Sequence, residues 1–149
     1  MVERTVVERF LEDYRDAFQR FDASAVTSFY AFPCQVTGEA DAVTVTSIAS
    51  AEAWTPLVDR IIGGYRLLGV ERADIAEFRM LALTPRLAQA AVRWVLVDGT
   101  GATVYEFDAS YSLAELGDGL RITGIAHNET PRLRAALERR QQTGAPGTA

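Results

Sequence analysis

Few side chains in this 149-residue chain could carry proton-transfer or nucleophilic chemistry. His127 is the single histidine, and imidazole has the side-chain pKa nearest neutrality. Cys34 is the single cysteine. It follows Pro33 with no Lys, Arg or His beside it to favour a thiolate, so it reads as a buried, inert thiol. One histidine and one cysteine leave out an intrachain disulfide and the usual zinc donor sets. Tyr14 sits among apolar residues at helical spacing, and its hydroxyl needs a partner once buried. That partner is a backbone carbonyl or water if Tyr14 belongs to the core, or a substrate if the hydroxyl polarises one. Trp54, Trp94, Tyr105, Phe107 and Tyr111 add a large aromatic surface that either walls a cavity or fills it.

These residues are organised around a long β-hairpin. Arg86–Val97 is dense in Ala, Val, Leu and Trp, and Thr103–Leu113 alternates apolar with polar residues. Between them lies Asp98-Gly99-Thr100-Gly101, a turn signal with two glycines. In the second arm Tyr105, Phe107, Ala109, Tyr111 and Leu113 share one face; Glu106, Asp108, Ser110 and Ser112 share the other. Setting Val97 opposite Ala102 places Trp94 against Tyr105, Val92 against Phe107 and Arg93 against Glu106. The outward face of the long strands then carries Ala91, Val95, Val97 and Val104, an apolar surface that predicts a homodimer.

Two amphipathic helices are available to cover the aromatic face. Val7, Phe10, Leu11, Tyr14, Phe18 and Phe21 form one stripe, starting near Thr5, with Glu8 three residues on as a capping box. Asp22 caps a short helix over Ala23–Phe29. Short strands follow at Cys34–Thr37 and Ala42–Thr46. A second long helix spans Glu52–Glu71, with Trp54, Leu57, Val58, Ile61, Tyr65 and Leu68 on its apolar stripe and Gly69 marking its end. Gly63-Gly64 inside it predicts close packing or a kink. Ile75–Thr84 and Leu120–Asn128 complete the strands. On the last strand Leu120, Ile122 and Ala126 form an apolar set of opposite parity to His127, so a one-residue shift decides whether the imidazole faces in or out. A helix opening at Thr130-Pro131 runs to about Gln142, and Thr143–Ala149 reads as a disordered tail. Residues 1–142 are therefore expected to form a single domain.

Composition narrows the function classes. A formal net charge of −5 argues against nucleic acid or an anionic membrane as the main partner. No apolar run is long enough to span a bilayer, and the first residues lack the pattern of a secretory signal. The expectation is a cytoplasmic protein that needs no cofactor.

The order helix, short helix, two short strands, helix and four long strands resembles the NTF2-like superfamily, in particular its small bacterial SnoaL-like and ketosteroid-isomerase-like members. The resemblance covers almost all of Val6–Glu129. It is carried by the Tyr14–Asp22–Tyr30 spacing, by the run from Ala82 to Trp94 and by Gly119–His127. It implies an α+β, cystatin-like cone in which a curved sheet wraps a long helix around an apolar cavity with polar groups at its mouth. It also implies pairing through the outer sheet face. The isomerases of this family use a carboxylate base with an oxyanion hole made of a tyrosine and a protonated acid. Matched residue by residue, the tyrosine falls on Tyr14. The base position falls on or beside Gly38, with Glu39 and Asp41 near. The acid falls on Asp108, or nearer Ala109 or Ser112 when counted back from Ile122. By the alternation above, Asp108 faces away from the aromatic residues.

The expected ligand-binding set is Tyr14, Trp54, Val58, Ile61, Trp94, Phe107, Tyr111 and His127, enclosing a small hydrophobic molecule. An acid–base enzyme (isomerase, cyclase or dehydratase) with Tyr14 and His127 as its catalytic pair is the alternative. A non-catalytic dimerisation module is a third reading.

Overall fold

The computed structural model describes residues 1–143. Its elements in chain order are α1 (Arg4–Gln19), α2 (Ala23–Thr27), β1 (Tyr30–Glu39), β2 (Val43–Ile48), α3 (Ala51–Leu68), β3 (Val70–Thr84), β4 (Leu87–Asp98), β5 (Thr103–Glu115), β6 (Leu120–His127) and α4 (Glu129–Thr143). The strands form one six-stranded sheet in the order β2-β1-β6-β5-β4-β3. Every pairing is antiparallel except β1 with β6. The architecture is the expected α+β cone, with the helices laid against the inward face of a curved sheet. The expected tail lies outside the described residues apart from Thr143, which ends α4. Among the described residues no helix is long and apolar enough to cross a membrane.

Local chemistry explains most element ends. Asp22 Oδ1 accepts the Ala25 N–H at 3.0 Å and starts α2 as expected. Ser50 Oγ accepts the Ala53 N–H at 3.2 Å and starts α3, and Gly69 at φ 72° ends it. The capping box at Thr5 is not used. α1 begins one residue earlier behind Glu3, whose side chain makes no cap, and Glu8 instead lies 3.6 Å from Arg4. Helix α2 stops at Thr27, short of the expected Phe29, and α3 stops at Leu68, short of Glu71. β1 and β3 begin earlier than read, at Tyr30 and Val70, because sheet pairing extends past the β-branched stretches. Gly64 answers to close packing: a Cβ there would lie 3.2 Å from Leu133 Cδ1 of α4.

The central hairpin pairs two residues away from the register read from its turn. Trp94 lies opposite Phe107, Val92 opposite Ala109, Leu96 opposite Tyr105 and Arg93 opposite Asp108. The cause is a wider turn. Asp98 Oδ1 accepts from the Thr100 N–H (2.8 Å), the Thr100 hydroxyl (2.6 Å) and the Ala102 N–H (3.1 Å), while Gly101 adopts φ 87°. Val97 then meets Thr103 across a bulge. A two-residue slide preserves the faces, so the aromatic side still points inward. Val97, expected outside, is buried next to that bulge.

The bulge also redirects one charge pair. Arg93 does not pair with Glu106. Its guanidinium donates to Asp108 at 2.9 Å and to Glu77 at 2.9 Å on the outer face. Asp108 is exposed, as its parity required, and the Arg93 guanidinium holds it below the usual carboxylate range. Cys34 is 1% exposed, and burial pushes its thiol up to about 11, consistent with an inert role.

Candidate functional site

Inside the cone the aromatic side chains do not close completely. They leave a cavity of about 60 Å³ between α1, α3 and the inward face of β4, β5 and β6. Of the residues expected to wall it, Tyr14, Trp54, Ile61, Trp94, Phe107, Tyr111 and His127 do so. Val58 does not line it; this side chain is fully buried one turn away, on the core side of α3. Glu39 and Asp41, the displaced-base candidates, are exposed and lie outside the cavity. Gly38 sits against His127: a Cβ there would lie 3.6 Å from both Cε1 and Nε2 of the imidazole.

His127 faces inward because β6 changes parity along its length. Leu113 pairs with Ile122, but Ser112 pairs with Gly124, so Thr123 is an extra residue in β6. Before the bulge Leu120 and Ile122 point into the core. After it Ile125 and His127 do, and Ala126, read as part of the apolar set, is exposed.

The polar groups of the cavity are nearly all paired with one another. The Tyr14 and Tyr30 hydroxyls lie 2.7 Å apart, so Tyr14 is held by a second tyrosine rather than by a carbonyl. The Trp94 indole N–H donates to the Tyr111 hydroxyl at 2.9 Å. The Tyr65 and Tyr105 hydroxyls both donate to Glu129 Oε2, at 2.5 and 2.7 Å. The Glu129 backbone N–H donates to His127 Nδ1 at 3.1 Å. Only the Trp54 indole N–H is buried without a partner among the described residues.

Glu129 is the centre of this arrangement, and the sequence did not point to it. It is 8% exposed and, among the described residues, the only buried acidic or basic side chain. Burial pushes its carboxyl above the ordinary range, and the two tyrosine hydroxyls pull it back by stabilising the carboxylate. Burial raises the Tyr14, Tyr30, Tyr65, Tyr105 and Tyr111 hydroxyls far above their usual range, so they stay neutral donors. Burial lowers His127. With Nδ1 accepting from a backbone N–H, the neutral imidazole carries its proton on Nε2. His127 is thus a hydrogen-bond donor whose basic lone pair is already occupied, whereas Glu129 Oε1 has no protein donor among the described residues.

Three site residues outside the expected ligand-binding set had a partial signal. Tyr65 lay on the apolar stripe of α3, Tyr105 on the inward parity of β5, and Tyr30 within the Tyr14–Asp22–Tyr30 spacing. Glu129 had none, being a charged residue in the first turn of a polar helix, where exposure is the rule.

Solved structures share this fold. An NTF2-like protein with a cystatin-like fold from Novosphingobium aromaticivorans is 15% identical, with a TM-score of 0.66 over 90% of this chain and 88% of that one. Aln2 from a Streptomyces species is 14% identical, with a TM-score of 0.67 over 88% and 94%. A cystatin-like domain of unknown function from Nostoc punctiforme is 12% identical, with a TM-score of 0.62 over 96% and 88%. At these identities the likeness is one of fold. None of the curated proteins compared with the chain matches it. Residues 3–130 match the family described as NTF2-like protein (DUF6841), and the chain belongs to that family.

Proposed function

We propose that the cone cavity binds a small, mainly apolar molecule whose one polar end meets Glu129. The observation that carries this reading is the void itself, walled mainly by aromatic and aliphatic side chains and bordered by a buried carboxyl whose Oε1 lacks a protein donor among the described residues. Apolar walls supply affinity through burial at about 25 cal/mol per Å², and one hydrogen bond supplies orientation. A void of 60 Å³ is smaller than the roughly 150 Å³ cavity that accepts benzene. The ligand is accordingly a molecule of a few heavy atoms, unless Ile61 or Trp54 swings aside. The test is a titration with short-chain alcohols read by the fluorescence of Trp54 and Trp94, the only two tryptophans, both on the cavity wall. Ile61→Phe, which adds volume at the half-buried edge of the void, should abolish binding while leaving the melting temperature unchanged or higher. Binding that survives this filling places the ligand elsewhere.

A second reading, acid–base catalysis, draws support from the raised Glu129 carboxyl and its two hydroxyl partners. In that reading Glu129, rather than His127, moves the proton, and Tyr65 and Tyr105 stabilise its anion. A bound ligand whose carbon-bound hydrogens exchange in heavy water with the wild type, and not with Glu129→Gln, would favour catalysis over simple binding.

We also propose that the chain pairs as a homodimer through its outer sheet face. Ala91 and Val95 flank Arg93 on the same face of β4, mixing apolar area with the Arg93–Glu77–Asp108 ion cluster. Sedimentation at micromolar concentration as a 16.3 kDa species would overturn it.

A further inference from the structure

Glu129 presents a carboxyl with no counter-charge. No basic side chain forms an ion pair with it among the described residues. Arg15, which reaches the cavity lining, donates to Asp16 at 3.1 Å. Arg66 lies over the Phe21 ring at 4.4 Å, and Arg93 is engaged with Glu77 and Asp108 on the outer face. His127 receives the Glu129 N–H rather than donating to the carboxylate. Yet the surroundings of Oε2 are built for an anion: two hydroxyls converge on it, and the residue opens α4, where the helix end favours negative charge. A lone buried carboxylate is costly, and what offsets that cost is a positive partner at close range.

The walls of the cavity suit such a partner. Tyr14, Tyr30, Trp54, Tyr65, Trp94 and Tyr111 turn aromatic surface towards one small void. Aromatic faces attract cations through their negative quadrupole, most strongly where water is excluded. From the carboxylate without a counter-ion and this aromatic enclosure together, we infer that the ligand of the cavity is a small alkylammonium ion, its nitrogen on Glu129 Oε1 and its carbon chain among the rings. This rests on the cavity being the binding site and goes further in naming the chemical class. An apolar chain of a few carbons fits the volume, and the ammonium supplies the donors that Oε1 lacks.

The titratable groups around the carboxylate leave it as the one that decides the pH dependence. Tyr14 of α1, Tyr30 of β1, Tyr65 of α3, and Tyr105 and Tyr111 of β5 are neutral through the physiological range. His127 of β6 is neutral above its lowered pKa, and the Arg15 guanidinium is paired with Asp16. Below the raised Glu129 pKa the site is uncharged, so ammonium affinity should fall about tenfold per pH unit there, while the affinity of a neutral ligand stays level.

The experiment compares propylammonium with its neutral isostere 1-propanol, both titrated against the intact protein and read by Trp54 and Trp94 fluorescence. At a pH above the Glu129 transition, propylammonium should bind at least about tenfold more tightly than propanol, and Glu129→Gln should remove that advantage, bringing the two affinities together. Should Glu129→Gln fail to fold, the pH profile of the wild type decides by itself. Propanol binding as well as the amine, or an amine preference that survives Glu129→Gln or is flat with pH, overturns the ammonium assignment and leaves the cavity reading standing. If neither probe perturbs the indoles, both fall.

Discussion

The two tyrosine hydroxyls on Glu129 Oε2 make a quantitative test of the site possible without knowing a ligand. Tyr65→Phe and Tyr105→Phe each remove one donor and keep the ring, so packing is nearly preserved. A hydrogen bond to a charged acceptor contributes about 1.5–3 kcal/mol, and one to a neutral acceptor about 0.5–1.5 kcal/mol. The cost of each substitution should therefore depend on whether Glu129 is ionised. At a pH above the raised carboxyl pKa, where Glu129 is ionised, each variant should lose roughly 2 kcal/mol; at a pH below it, with the carboxyl protonated, roughly 1 kcal/mol. Tyr65, at 2.5 Å, should cost more than Tyr105 at 2.7 Å. The double variant leaves the carboxylate with no donor in a buried place, so its cost should exceed the sum of the singles at the higher pH and approach it at the lower. Urea denaturation of the four proteins at both pH values gives the full cycle. Equal costs at the two pH values would mean that Glu129 does not change its charge in this range, and additive costs would mean that the hydroxyls do not share one acceptor.

Trp94→Phe and Trp54→Phe lose similar volumes, but only the first breaks an indole hydrogen bond, so Trp94→Phe should cost about 1 kcal/mol more in chemical denaturation. Equal costs would show that the Trp94–Tyr111 bond adds nothing. Trp94→Ala should cost about 3–5 kcal/mol, and a loss below ~1 kcal/mol would contradict its buried position opposite Phe107. For pH, Glu129 and His127 act with opposite sign. The raised Glu129 pKa gives stability that is complete below about pH 4.5 and lost as pH rises through the folded value. The lowered His127 pKa gives stability that is complete above about pH 6.5 and lost as pH falls towards the folded value. Melting-temperature profiles of Glu129→Gln and His127→Asn should each lose one of these limbs; a profile unchanged by either substitution refutes its assignment.

The architecture was legible because it rests on period. The inward set from Tyr105 to Leu113, the stripe of α1 and the stripe of α3 follow from spacing, and a two-residue error in hairpin register cost nothing on faces because strand parity repeats every two residues. Parity fails where a residue is inserted. The Thr123 bulge makes Ile122 and Ile125 both inward, and no local pattern around it announces the extra residue. Helix ends at the Asp22 side-chain cap and at Gly69 were read from the sequence; the Ser50 cap and the start of α1, which has no side-chain cap, were not. The candidate site was half legible for the same reason. Its aromatic wall came from periodicity, and its carboxyl came from tertiary contacts made by residues 64 and 24 positions away.

The position of Glu129 follows from the end of β6. The Thr123 bulge turns His127 inward, and the chain must then leave the sheet at once to begin α4. Asn128 fixes this exit: its Oδ1 accepts the Asp108 N–H at 2.7 Å, and its own N–H donates to the Asp108 carbonyl at 3.2 Å. Two bonds to one residue of β5 hold the junction, and the Glu129 N–H on His127 Nδ1 sets the next residue. With its backbone held on both sides, Glu129 projects beneath Tyr65 and Tyr105, which supply the donors that make burial of a carboxyl tolerable. The same bulge that hid the parity of β6 therefore builds the polar end of the cavity. Without it, an unbroken alternation would turn His127 to the outer face and carry the first turn of α4 with it, leaving Tyr65 and Tyr105 buried with no acceptor.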